Sequence, residues 1–226
     1  MPAAARAAGA AARTGAPART ARPVGGIAKR GFDIAVALAA LVLFLPLFLG
    51  IVLMVRRSGP GPVLYGHTRI GFAGRPFRCL KFRTMVTDGD AVLARHLRDN
   101  PAARVEWDAT RKLTADPRVT PLGHALRKLS LDELPQLLNV LRGEMSLVGP
   151  RPVVAEELAR YGRSARYYLG ARPGLTGLWQ VSGRNDISYR RRVAFDRAYV
   201  GRWSPARDAA IIARTVPAVL LARGSY

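Results

Sequence analysis

The chain has 226 residues, with 36 Lys and Arg against 15 Asp and Glu and a formal net charge of +21. It has room for one ordinary domain with appendages, and the charge suits a nucleic-acid binder or a protein on an anionic membrane. At 49% hydrophobic residues it is too apolar to be a disordered basic tail, and its single cysteine, Cys79, excludes an internal disulfide or a thiolate metal cluster.

The N-terminal residues 1–28 are rich in Ala, Arg, Pro, Gly and Thr and contain no acid, the composition of a disordered basic tail. Residues 29–57 follow as a membrane anchor. Lys29 and Arg30 precede Ile34 to Val55, 22 uncharged and almost wholly apolar residues, and Arg56 and Arg57 close the run. As a straight helix it would be about 33 Å long, enough for a hydrocarbon core of about 30 Å. A cleaved signal peptide has a shorter apolar region and a small-residue cleavage site. Positive charge marks the cytoplasmic side of a membrane, yet here it lies on both flanks. Pro46 removes a backbone hydrogen bond near the middle and kinks or breaks the helix. A re-entrant helix that enters and leaves by one face satisfies both flanks; a tilted helix that crosses is the alternative.

Residues 58–226 are of catalytic-domain size. Val63 to His67 and Pro76 to Met85 read as a short hairpin around Gly71 to Gly74. Helical pattern starts near Asp88, and a loop containing Asn100, Pro101, Asp116 and Pro117 follows. Thr120 and Pro121 start a short helix that runs into Ser130-Leu131-Asp132-Glu133-Leu134-Pro135-Gln136 and an apolar face ending at Gly143. Beyond the loop Gly149 to Pro152, a helix is expected from about Val153 to Tyr161. A glycine-rich loop from Arg172 to Arg184 leads to a helix capped by Ser188, and Ser204-Pro205 opens a last helix that suits either a membrane interface or the core. The expected fold is α+β and mainly helical: an N-terminal re-entrant membrane helix, then a small cytosolic catalytic domain with a minor β-hairpin and interfacial amphipathic helices.

No P-loop, Rossmann or hydrolase motif is present, and His67, His96 and His124 fit no zinc spacing. The abundance of arginine over lysine reads most simply as compositional bias alongside Ala, Gly and Pro. Chemistry concentrates at Asp132 and Glu133. Adjacent helical residues point about 100° apart, so the two acids suit two roles, a nucleophile or base beside a carboxylate that holds a divalent cation. Pro135 is cheapest in a first turn, which places the pair at a helix N-terminus, where free amides and the dipole favour phosphate. Ser130 to Glu133 equally makes a capping box, an ordinary helix start. Arg127 and Lys128 upstream, Arg151 in the turn Gly149 to Pro152, and Lys81 and Arg83 on the hairpin add cations suited to an anionic, phosphate-bearing substrate.

Together these segments resemble the bacterial sugar transferases, the small monotopic phosphoglycosyl transferases that move a sugar 1-phosphate from a UDP-sugar to polyprenyl phosphate. The resemblance runs from about Lys29 to Tyr226. It rests on K-R-G-F-D at Lys29 to Asp33, the apolar run broken at Pro46, K-F-R-T-M at Lys81 to Met85, and L-D-E-L-P-Q at Leu131 to Gln136. S-L-V-G-P-R-P at Ser146 to Pro152 and P-G-L-T-G-L-W-Q-V-S-G-R-N at Pro173 to Asn185 complete it. The short length and R-G-S-Y ending look most like the exopolysaccharide-production branch. The resemblance implies that Asp132 attacks the β-phosphorus and expels UMP, that polyprenyl (undecaprenyl) phosphate resolves the phosphosugar-aspartyl intermediate, and that Glu133 holds Mg2+. It further implies that Lys81, Arg127 and Arg151 bind substrate at the cytosolic face of the bacterial inner membrane. Expected partners are the UDP-sugar, polyprenyl phosphate and inner-membrane lipids, with a second copy of the chain and downstream glycosyltransferases as further candidates and no nucleic acid. The competing reading, a membrane-tethered nucleic-acid-binding or regulatory protein, has only the +21 charge behind it and lacks a base-reading helix or aromatic RNA platform.

Overall fold

A computed structural model describes residues 22–182 and 187–220; most of the expected tail, and Arg184, Asn185 and Arg223, lie outside the described residues. The described chain is mainly helical, with two small sheets. Helix α1 spans Gly26–Leu43 and α2 spans Leu45–Arg57. Val24 N donates to Gly170 O at 3.0 Å.

Pro46 lies in the first turn of α2, where its missing N–H costs least. The break falls just before it, and the helices are bent by 65°. No described helix is alone long and apolar enough to cross a membrane; the bent pair passes that test together, by length and composition.

Strands β1 (Leu64–Ile70) and β2 (Pro76–Phe82) pair as the expected hairpin. Helix α3 (Gly89–Asp99) is followed by α4 (Pro101–Thr110) in place of the expected loop. Asn100, which reads as a loop residue, is the N-cap of α4: its side chain accepts from Ala103 N at 3.1 Å, with Pro101 at the first position. Helix α5 spans Pro121–Lys128, with Thr120 capping Gly123 N as expected.

A 3-10 turn covers Leu131–Glu133, and α6 spans Gln136–Arg142. Strand β3 (Ser146–Val148) pairs in parallel with β4 (Gly174–Thr176), Ser146 opposite Gly174 and Val148 opposite Thr176. Strand β4 falls in the segment that reads as a glycine-rich loop and β3 just ahead of the loop Gly149 to Pro152, and neither is expected, because three-residue, largely buried strands show no alternation. Between them α7 (Ala155–Ala159) is shorter than expected, and α8 (Ala165–Leu169) follows Gly162, whose φ is 51°. Helices α9 (Tyr189–Gly201) and α10 (Pro205–Leu220) close the described chain, and the Ser188 side chain caps α9 as expected.

The chain divides into two compact units. The first comprises the described residues up to Phe44, Gly66–Leu80 and the described residues from Pro135 onward. In it α1 packs on α6 and β3, and α10 on β3 and β4. Lys29, expected as a flanking surface charge, is buried there instead: its Nζ donates to Asp208 Oδ2 at 2.6 Å and lies 3.8 Å from Asp33 Oδ1. Asp33 accepts from Ser146 Oγ at 2.7 Å and Leu147 N at 3.2 Å. Asp208 also accepts from Tyr199 OH at 2.7 Å and Trp203 Nε1 at 3.0 Å. The Arg30 guanidinium donates to the carbonyls of Val140 and Leu141, closing the C-terminus of α6. The first turns of α1 are thereby held by buried polar contacts, while Val42 and Leu43 at its far end are 74% and 73% exposed.

A second feature of this unit is Asp196, buried with Tyr161 OH donating to it at 2.8 Å. Burial pushes its carboxyl up to about 7, against the pull of Tyr161, Arg192 and Arg151. An unfolded Asp ionises near 3.8, so the native state holds a proton that the unfolded state has lost between those two values. This contribution to stability is present below 3.8 and is lost as pH rises through about 7. Unfolding midpoints recorded from pH 4 to 8 are expected to show a smaller decline for Asp196→Asn than for the native chain.

The second unit comprises Leu45–Tyr65 and Lys81–Leu134. Its core gathers Ile51 and Val55 of α2 with Phe82 and Leu126, flanked by Phe48, Leu122, Leu131 and Leu134. Ile51 and Val55, one helical turn apart, belong to the apolar run expected in lipid, yet both are fully buried in protein. Leu45, Leu49 and Leu53 are at least half exposed.

Candidate active site

The carboxylate pair stands in the second unit on the 3-10 turn Leu131–Glu133, whose flanking leucines pack into the core described above. The pair lies in the first turn of this short 3-10 helix, with Ser130 at its N-cap position, and not at the start of the α-helix that follows. Pro135, not Asp132, is the N-cap residue of α6, and Ser130 makes no side-chain cap. Ser130 instead takes a left-handed conformation, φ 56°, unusual for a residue with a Cβ. It joins the end of α5 to the turn: Ser130 N donates to Arg127 O at 3.0 Å, and Glu133 N to Ser130 O at 3.3 Å.

Lys81, at the end of β2, reaches both acids. Its Nζ lies 3.1 Å from Asp132 Oδ2 and 2.7 Å from Glu133 Oε1. Asp132 is 9% exposed at its side chain and Glu133 35%, so the two acids occupy different environments. Burial raises the Asp132 carboxyl above the usual carboxylate range, with Glu133 adding to the rise, while Lys81 and Arg127 pull it down. Burial works against the Lys81 charge as well, but Glu133 and Asp132 outweigh it and hold the ammonium above its ordinary value. Asp132 is thus a partly dehydrated carboxyl on which burial and the adjacent cations act in opposite senses.

Arg127, on the last turn of α5, donates from Nε to Thr84 Oγ1 at 3.0 Å. Thr84 is buried and carried no chemistry in the sequence reading, since a threonine in K-F-R-T-M has no assignable role until its partner is known. Arg83 does not join the acids: its guanidinium donates to the carbonyls of Val55 at 2.9 Å and Gly59 at 2.7 Å and also to Pro60 O, closing the end of α2. Lys128 is exposed. Arg151 belongs to the first unit, where its guanidinium lies 5.5 Å from the Trp179 ring centroid, with Arg192 at 4.2 Å from the same ring.

The donor set bears on a metal. Among the described residues no group of three or more His, Cys, Asp or Glu side chains converges, which does not suit a cage built wholly from protein. Mg2+ is commonly held by one or two carboxylates together with water and substrate phosphates. Asp132 and Glu133 supply hard oxygens of that kind, each retaining a second oxygen beyond the one that Lys81 contacts.

Two acids on one lysine, with phosphate-compatible cations nearby, suit transfer chemistry on an anionic substrate, and comparison with known proteins places the chain in a family. The family model described as bacterial sugar transferase matches residues 24–222. The chain is 62% identical over 205 residues, 91% of each chain, to the exopolysaccharide production protein ExoY of Rhizobium meliloti (strain 1021). It is 51% identical over 198 residues to the undecaprenyl-phosphate galactose phosphotransferase of Salmonella typhimurium, covering 88% of this chain and 41% of that one. It is 42% identical over 208 residues to the UDP-glucose:undecaprenyl-phosphate glucose-1-phosphate transferase of Caulobacter vibrioides, 88% of this chain and 72% of that one. The chain belongs to the bacterial sugar transferase family, in its exopolysaccharide branch.

Proposed function

We propose that the chain transfers a sugar 1-phosphate from a UDP-sugar to polyprenyl (undecaprenyl) phosphate and releases UMP, the first step of an exopolysaccharide or related glycoconjugate. The observation that carries this reading is the Lys81 ammonium seated on both Asp132 and Glu133 in a chain whose relatives include named undecaprenyl-phosphate sugar-phosphate transferases.

In this reading an Asp132 carboxylate oxygen attacks the β-phosphorus. The bond from that phosphorus to the bridging oxygen breaks, and UMP leaves with the bonding pair. A phosphate oxygen of the lipid acceptor then attacks the same phosphorus, frees the Asp132 carboxylate and forms polyprenyl diphosphate sugar. Lys81 balances the carboxylate before attack and is placed to stabilise negative charge that develops during transfer. Arg127 and Arg151 are the proposed phosphate contacts. Glu133 would hold Mg2+, which when bound neutralises phosphate charge.

The broken apolar run Ile34 to Val55 is read as re-entrant, so that the tail and the catalytic residues share the cytosolic face of the inner membrane. A cysteine introduced at Thr20, in a chain whose Cys79 is replaced by Ser, is expected to resist a membrane-impermeant maleimide in intact spheroplasts and to react once they are lysed. Labelling in intact spheroplasts would replace the re-entrant reading by a crossing helix.

The catalytic reading is tested with detergent-solubilised protein, undecaprenyl phosphate and a panel of UDP-sugars. UMP is expected from at least one sugar nucleotide and is expected to cease on chelation of Mg2+. No UMP from any member would overturn the proposed function, and turnover that persists in chelator would remove the metal role of Glu133.

A further inference from the structure

We propose that Thr84 is a positioning residue that aims the Arg127 guanidinium at the diphosphate of the sugar nucleotide. The inference rests on the transferase reading above and deepens it.

An arginine side chain has several rotatable bonds, and on the last turn of an eight-residue helix its head would sweep a wide arc. Here one hydrogen bond fixes it. Arg127 Nε donates to Thr84 Oγ1 at 3.0 Å, which leaves both terminal amino groups, and so four of the five N–H donors, free of that contact and in a set plane.

Thr84 can serve as a fixed acceptor because its own backbone is tightly held. Its carbonyl accepts from Thr120 N at 3.0 Å. Met85 and Val119 form an isolated bridge beside it. Gly123, in the first turn of α5, approaches so closely that any Cβ there would overlap the Thr84 carbonyl. Helix α5 therefore meets the Thr84 segment at both ends, through Thr120 and Gly123 at its start and through Arg127 at its finish. The Ser130 turn then carries the chain from Arg127 to Asp132, so the aimed guanidinium and the attacking carboxylate share one short frame.

Binding of UDP, the part common to every UDP-sugar, by the full-length solubilised protein tests this, together with steady-state kinetics on the best UDP-sugar. Thr84→Val keeps the shape and removes the acceptor. A hydrogen bond to a charged group is worth enough to predict a roughly tenfold weaker Kd for UDP and a similar rise in KM, with kcat changed by no more than about twofold. Thr84→Ser is expected to restore the native values. Arg127→Gln should weaken binding at least as much, and adding Thr84→Val to it should cost nothing further, because the hydroxyl then has nothing left to aim.

Native affinity in Thr84→Val would overturn the proposal. So would a Ser variant as weak as the Val variant, or losses that multiply in the double variant as for two independent structural effects. A native chain that neither binds UDP nor releases UMP would instead remove the transferase reading beneath it. Native turnover with an unaltered Thr84→Val removes this inference alone.

Discussion

Asp132→Asn is expected to lower UMP release from UDP-sugar by on the order of 10⁴-fold or more, since losing a nucleophile removes the covalent route and leaves only binding and electrostatic assistance. The native chain mixed with UDP-sugar and no lipid acceptor should give a burst of UMP near one equivalent of enzyme, while the Asn variant should give none. Folding is expected to survive: the side chain keeps its shape, its carboxylate is already disfavoured by burial, and Lys81 retains Glu133 at 2.7 Å. Glu133→Gln should cost less, about 10²- to 10³-fold, as expected for loss of one charged group that acts on the transition state without forming a bond. A Glu133→Gln burst of native amplitude at a reduced rate would separate the two roles. Near-native turnover by Asp132→Asn would exclude it as the nucleophile.

That experiment also marks what the residues themselves disclose. Adjacent acids cannot face one atom from one direction, so Asp132 and Glu133 read as a pair with divided roles before any fold is known. Their setting does not. Pro135 reads as a first-turn residue; it is instead the N-cap of α6, and the acids stand on a separate 3-10 turn behind the left-handed Ser130, a backbone conformation that its side chain does not announce. Lys81 and Arg127 could be named as cations near a phosphate site. Only the fold shows that Lys81, 51 residues from Asp132 in sequence, bridges both acids, and that Arg127 depends on Thr84, 43 residues away. Strands β3 and β4 escaped because strands this short carry no period. Helix α4 escaped because Asn-Pro serves loop and helix start equally well.

The apolar run shows the same division. Its 22 residues announce an anchor by length and Pro46 announces the break, but the run gives no sign that Ile51 and Val55 belong to the protein core while Leu45, Leu49 and Leu53 face outward. Hydropathy does not separate residues that meet lipid from residues that meet other leucines. The helical spacing of Ile51 and Val55 becomes informative only once Phe82 and Leu126 are placed against them. The basic flank divides likewise. Arg56 and Arg57 are exposed and free to meet anionic headgroups, whereas Lys29 lies inside a polar network and adds nothing to the surface field.

Asp208→Ala is accordingly expected to be among the most destabilising single substitutions. Asp208 accepts from Lys29, Tyr199 and Trp203, and its loss strands a buried ammonium with Asp33 at 3.8 Å as its remaining acid. Breaking a buried pair from one side typically costs about 3–5 kcal/mol, a large part of the stability of an ordinary domain. Replacing both partners with apolar residues, Lys29→Met with Asp208→Leu, should recover part of the loss, because the stranded ammonium is removed with its partner while Asp33 keeps Ser146 Oγ and Leu147 N as donors. Denaturant unfolding in detergent distinguishes the cases: a much lower midpoint for the single variant and partial recovery for the double. The double variant also tests what the network is for. Helix α1 carries the exposed tip at Val42 and Leu43 but is secured to its own unit by Lys29 and Asp33. If the polar network fixes the helix's rotation as well as its stability, the double variant should regain its midpoint yet bind vesicles of anionic lipid less tightly than the native chain. Equal vesicle binding at a recovered midpoint would limit the network to stability.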